Sequence, residues 1–158
     1  MATPSERLGL VRDWMTRQPL TVTPERPVGQ VAGLMRTHAV RHVLVMDRDR
    51  LVGIVSNRDV RTPVGLEPRV AAGASVDTVM SESPVTVTAD TALVDAARAL
   101  LERRIGALPV LDGERVVGIL TRSDALEALL AWAERARVVS SPRSAEEDVS
   151  RTRRTKEP

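Results

Sequence analysis

The sequence predicts an α/β (α+β) fold in which two β-α-β-β-α units pack sheet to sheet as a closed two-fold pair. Three observations carry this expectation. Displacing the chain against itself by 65 positions aligns residues 15–60 with 80–125 without a gap, and 13 of the 46 pairs are identical. Each copy alternates short β-branched runs with helical spacing of apolar residues. A unit of this size buries too little surface to stand alone, and its nearly continuous apolar strands need cover on both faces. Each copy is therefore expected to cover the other within one folding unit.

Each copy opens on a short strand, residues 20–23 and 85–88, carrying the repeated Thr21-Val22-Thr23 and Thr86-Val87-Thr88. A polar turn follows, Pro24 to Pro27 in one copy and Ala89-Asp90-Thr91 in the other. The first helix shows apolar residues at Val28, Val31, Ala32, Met35 and Ala39, and at Leu93, Ala96, Ala97, Leu100 and Leu101. That three-and-four spacing is a half-buried helix, and Asp90 or Thr91 is expected to cap the second example. Apolar runs at 43–46 and 51–55 flank the charged turn Asp47-Arg48-Asp49-Arg50, and runs at 108–111 and 116–120 flank Asp112-Gly113-Glu114. Each pair reads as a hairpin. Ser56 and Thr121, both good capping types, start the second helix. Pro63 cuts it short in the first copy, and in the second it runs to about Arg137. The units are placed at 8–61 and 76–137, with a Pro- and Gly-bearing linker at 62–75. Residues 138–158 are too polar to offset the entropy of ordering and are expected to be a disordered charged tail.

Composition narrows the function. There are no cysteines, which excludes a disulfide framework, a Cys-rich zinc site and a thiol nucleophile. Aromatic residues make up 1% of the 158, two Trp and no Phe or Tyr, so the stacking platform of single-strand nucleic-acid binders is missing. The net charge is only +2. No apolar run reaches the ~20 residues of a membrane span, and the first ten residues carry no signal-peptide core. A cytoplasmic protein is expected, with no membrane association and nucleic-acid binding disfavoured. His38 and His42 are four apart but lack a third ligand, so no metal is assigned. No catalytic triad, phosphate loop or paired-carboxylate set stands out, so no enzyme is expected.

The succession Asp13 to Val22, then Val40 to Asp47, then Leu51 to Asp59 resembles a CBS motif, and residues 79–125 resemble a second. The resemblance spans about residues 8–135 and rests on three separated blocks that occur in order, twice, at equal spacing. It implies a tandem CBS (Bateman) module with its repeats related by a pseudo-two-fold axis. Such modules bind AMP, ADP, ATP or S-adenosylmethionine in inter-repeat clefts, with no cofactor required. They form homodimers and regulate an enzyme, channel or transporter. Here the effector would be a separate, unidentified protein.

The sharpest local signal is Gly, two apolar residues, Ser or Thr, two residues, Asp: Gly53, Ser56, Asp59 in one copy and Gly118, Thr121, Asp124 in the other. It falls where a strand enters a helix. A hydroxyl there can donate to a phosphate or sugar, and helix N–H groups favour an anion. The resemblance assigns the Asp to ribose hydroxyls. Read from the residues alone, Ser or Thr with Asp is equally a helix cap. Arg58 and Arg122 lie inside these motifs and join the ligand set. By the same resemblance, Arg41 and His42 reach the phosphates of a ligand held by Thr121 and Asp124. Their counterparts Gly106 and Ala107 are neutral, so the Ser56–Asp59 cleft is expected to be the weaker phosphate site. Thr16 to Pro19 and Ser81 to Pro84 would hold the base edge through backbone groups, or form no more than turns ending in Pro. A second class stays open: a dimerisation or interaction scaffold with empty clefts.

Overall fold

The computed structural model describes residues 8–61 and 72–140. Its strands are β1 (Thr16–Arg17), β2 (Thr21–Val22), β3 (His42–Asp47), β4 (Arg50–Ser56), β5 (Ser81–Glu82), β6 (Val87–Thr88), β7 (Ala107–Asp112) and β8 (Arg115–Thr121). Its helices are α1 (Val28–Thr37), α2 (Asn57–Arg61), α3 (Leu93–Glu102) and α4 (Arg122–Ser140). One-turn 3-10 helices at Val11–Asp13 and Val76–Thr78 precede β1 and β5.

The hairpins form as expected. β3 pairs antiparallel with β4 and β7 with β8, each with one irregularity, at Val45/Met46 and Val110/Leu111. β2 lies parallel to β3, and β6 to β7, because a helix crosses over between them.

The edges hold the main departure from the sequence reading. The sheets are β2-β3-β4-β5 and β1-β8-β7-β6. Thus β1, which precedes the first copy, pairs with β8 of the second, and β5 pairs with β4 of the first. The entering segments cross as well. Val11 N–H donates to the Thr91 carbonyl at 2.9 Å and Val76 N–H to the Arg26 carbonyl at 2.9 Å. Val11 and Val76, both 0% exposed, complete the core of the opposite copy. Two residues are too few to show strand periodicity, so these edges were invisible in the pattern.

This exchange overturns the expected cap of α3. Its N-cap is Ala92, without a side-chain bond, rather than Asp90 or Thr91. The orphan N–H of Leu93 instead donates to the Gly9 carbonyl at 3.0 Å, as that of Val28 donates to the Ala74 carbonyl at 2.8 Å. The Thr91 hydroxyl accepts from Thr88 N–H and fixes the turn. In α1 the helix stops at Thr37, and Ala39 follows in left-handed backbone at φ 52°. Leu101 lies outside the buried stripe, 73% exposed. Helix α4 reaches Ser140, so residues 138–140 are helical rather than tail. The remainder of the tail, 141–158, and linker residues 62–71 lie outside the described residues.

Three apolar clusters hold the fold together. Val22, Val28, Val31, Met35, Val43 and Val55 lead one, and Leu93, Leu100, Leu108 and Leu120 lead another. Leu44, Ala107 and Ile119, with Ile54, Leu51 and Val116, form a third in which residues of the two sheets meet.

Candidate ligand clefts

The strand exchange decides which residues share a cleft. In β1, Thr16 sits opposite Ile119 and Arg17 opposite Gly118, along the strand that leads into Thr121 and Asp124. In β5, Ser81 sits opposite Ile54 and Glu82 opposite Gly53, along the strand that leads into Ser56 and Asp59. Each candidate site is thus a composite of both copies. Glycine makes the approach feasible: a Cβ at Gly118 would lie 2.9 Å from the Thr16 carbonyl oxygen, closer than such atoms can come. Gln18 and Ser83, each just before Pro, adopt the left-handed region at φ 53° and 47°. Non-glycine residues there cost about 1 kcal/mol or more, and that cost is repeated at matching points of both clefts.

At the strand-to-helix junctions the Asp side chains are engaged. Asp124 Oδ2 accepts from Thr121 N–H at 2.7 Å and from its hydroxyl at 2.9 Å, while Asp124 N–H reaches back to the Thr121 hydroxyl at 3.3 Å. Asp59 Oδ2 accepts from Ser56 N–H and hydroxyl, both at 2.7 Å, with the return bond also at 3.3 Å. This is a reciprocal cap. It uses a single carboxylate oxygen. Oδ1 of each half-buried Asp accepts nothing among the described residues, and a carboxylate carries about four acceptor sites. Capping and ligand binding are compatible here, and the cap fixes the rotamer in advance.

The helix N-termini offer an anion less than the sequence suggested. Asn57 N–H is committed to the Arg41 carbonyl at 2.7 Å, and Arg122 N–H to the Gly106 carbonyl at 3.1 Å. With the N–H groups of Asp59 and Asp124 also taken, the first turn keeps Arg58 and Ser123 N–H. Helix α2 has only five residues, so its dipole is small.

Arg41 and His42 stand where the two copies touch. The His42 ring packs on Gly106 so closely that a Cβ there would lie 2.7 Å from Nε2. Burial lowers the His42 pKa; Asp59 opposes the shift, and Arg122 and Arg41 add to it. His42 is therefore neutral at neutral pH, a hydrogen-bonding group and not the cation the sequence suggested. Among the described residues no hydrogen bond joins Arg41 or His42 to Thr121 or Asp124. Arg122 donates through Nε to the Ile105 carbonyl at 2.8 Å, and Arg58 is exposed. Arg17 and Glu82 entered the sequence reading only as members of the backbone segments 16–19 and 81–84. Their positions in the repeat were plain, but only the exchanged pairing sets them opposite Gly118 and Gly53.

His38 caps the end of α1 while His42 opens β3, so the two do not share a helix. Among the described residues no three metal-ligating side chains gather, and no helix is long and apolar enough to cross a membrane. An open depression of about 430 Å³ beside α1, lined by Arg26, Gln30, Gly33, Leu34, Arg36 and Thr37, includes no candidate site residue.

Comparison with known proteins matches the CBS domain at residues 11–64 and 76–131. CBS domain-containing protein YhcV of Bacillus subtilis is 31% identical over 114 residues, covering 72% of this chain and 81% of that protein. A homoserine O-acetyltransferase of Methanosphaerula palustris is 36% identical over 124 residues, but the chain spans only 24% of its length. Among solved structures, CBSX2, known from Arabidopsis thaliana, in complex with AMP is 33% identical with a TM-score of 0.66, covering 78% of this chain and 97% of that one.

Proposed function

This chain belongs to the CBS-domain family, and from that premise we propose that it is a stand-alone CBS-pair regulatory module that catalyses no reaction. Its clefts bind an adenosine-type ligand, AMP, ADP, ATP or S-adenosylmethionine, and signal to a separate partner protein. The observation that carries the reading is the open Oδ1 of Asp59 and Asp124, held by a cap beside a backbone segment contributed by the other copy. That placement suits a ribose diol next to a base edge read by backbone groups. AMP in CBSX2 supports the ligand class. A cytoplasmic setting belongs to the same proposal, since it is where such nucleotides are abundant.

A homodimer is part of it. Among the described residues all the exposed large apolar side chains lie on α3 and α4: Leu101, Leu126, Leu129, Leu130, Trp132 and Val138. Helix α4 turns Ala128 inward, 1% exposed, and Leu126 and Leu130 outward at 60% and 62%. A helix with its larger apolar groups on the solvent side needs a partner. The same stripe favours the second reading, a scaffold with empty clefts.

Thermal melting with adenine nucleotides separates the two. Ligand at a hundred times Kd stabilises the native state by about 2.7 kcal/mol. Asp124→Asn, which keeps an acceptor for the cap, is expected to abolish the shift, and Asp59→Asn to reduce it less. An adenylate shift unchanged in the Asp124 variant overturns the site assignment. Absence of any shift in the unaltered protein favours the scaffold.

A further inference from the structure

The first helix of each copy turns a different face outward. Along α1, Arg26, Gln30, Leu34 and Thr37 recur at helical spacing and, with Gly33 and Arg36, line the open depression. Gly33 makes its notch: beyond the helix's own backbone, a Cβ there would find only the Arg36 guanidinium within 4 Å, at 3.9 Å. Arg26 is steadied by donating to Gln30 Oε1 at 3.2 Å. No acidic side chain lines the depression, so its two exposed guanidiniums leave it positive.

The equivalent stripe of α3, 65 positions on, reverses both properties. Asp95 replaces Gln30 and Glu102 replaces Thr37, so two carboxylates flank the single cation Arg98. Arg98 stands where α1 has Gly33, and Leu101, 73% exposed, stands where it has Arg36. One stripe is notched and basic; the other projects long side chains and is net acidic. Their charges match end to end when two such helices run antiparallel. Arg26, just ahead of α1, then meets Glu102 at the end of α3. Arg36, in the last turn of α1, meets Asp95 in the first turn of α3. The same crossing brings Gln30 and Gly33 to Arg98, a side chain that the notch can admit. Leu101 belongs to the exposed apolar set of the second copy, so this contact is continuous with the face assigned to the dimer.

Building on the reading that the chain forms a homodimer, we infer that α1 of one protomer docks antiparallel on α3 of its partner. A two-fold axis makes that contact twice, joining first copy to second copy at both ends. The reverse pairing, α1 on α1 and α3 on α3, sets two guanidiniums against two and acid against acid. Charge complementarity selects against it.

The chain has no cysteine, so single introduced thiols report the pairing without background. Q30C and R98C are checked by thermal melting and treated with a short bis-maleimide, each alone and after refolding together. Only the mixture is expected to give a cross-linked dimer, joining one variant to the other. Self-linking of either variant shows the reverse pairing, and a dimer left unlinked in the mixture shows that these stripes do not meet. Either result overturns the inference and spares the homodimer. R26E combined with R36E is expected to weaken the dimer about tenfold at low salt, and D95R with E102R likewise. All four together are expected to restore it, because only the pairing of α1 with α3 regains opposite charges. Failure of that recovery overturns the charge match. A monomeric unaltered protein by light scattering removes the homodimer and the inference with it.

Discussion

The first copy and the second share a backbone down to its irregularities. Each has a bulge in the same place of its hairpin, a left-handed residue after its first helix (Ala39 and Arg104), and a Ser/Thr–Asp cap on its second. What fills that backbone differs. The first core is valine-rich and the second leucine-rich: Val28, Val43 and Val55 face the positions of Leu93, Leu108 and Leu120. Val31 against Ala96 runs the other way and returns some of the volume. Beyond these two cores, Glu82 stands against Arg17, His42 against Ala107, and five helical residues in α2 against nineteen in α4. The comparison teaches that hydrogen-bonded landmarks fix the repeat, while charges and helix length are free to diverge and make the halves do different things.

That view can be broken most forcefully in the cores. Leu120→Ala is expected to cost about 3 kcal/mol and Val55→Ala about 2 kcal/mol. Because each core is completed by the other copy's entering segment, both variants should shift one common unfolding transition. Two separable transitions in a denaturant melt would show that the copies fold independently. Next comes the apolar face that only the second copy owns. Leu126→Glu combined with Leu130→Glu is expected to convert the dimer to a monomer by light scattering, with the far-ultraviolet helix signal retained. A monomeric unaltered protein, or a dimeric variant, removes that face from the assembly.

The half-buried histidine at the junction of the copies sharpens the comparison by pH. His42 has its folded pKa below the ordinary 6.5, so between the two values the unfolded chain binds more protons. Stability therefore falls as the pH drops below about 6.5 and through the folded value. His42→Ala, which copies the second copy's Ala107, is expected to flatten that dependence in melts from pH 7 to pH 5. An unchanged slope would show that His42 contributes none of it. The smallest effect is at the matching left-handed residues. Ala39→Gly and Arg104→Gly are each expected to gain up to about 1 kcal/mol, and a loss at one but not the other would mark a difference in how the helices end.

The repeat, both hairpins, the first helix of each copy and the Ser56/Asp59 and Thr121/Asp124 caps were legible in the sequence, because each rests on local spacing or on one residue type at a fixed offset. The choice between cap and ligand at Asp59 and Asp124 was not. It turned on which carboxylate oxygen is engaged, a matter of rotamer. The composite edges were hidden for another reason: Thr16–Arg17 and Ser81–Glu82 form strands only because a partner from the other copy is present. The lost cap at Asp90 and Thr91 follows from the same cause, since a backbone carbonyl 84 positions away in sequence, that of Gly9 for Leu93, is no local signal.

 Residues 10–92 separate that acceptor from its donor, beyond the reach of any window that reads a helix start.

The crossing arms also bear on ancestry and on protein engineering. A lone copy bearing its own arm has nowhere to place it except on a second copy, so a single-repeat forerunner would close as an arm-swapped pair of identical chains. Fusing two such genes would turn that swap into the present intramolecular one without altering a contact. For the same reason neither half can be lifted out at the repeat boundary. A graft must take residues 18–61 with the arm at 74–82, or 83–140 with the arm at 8–17, and a split protein cut between the halves should reassemble only when both pieces are present.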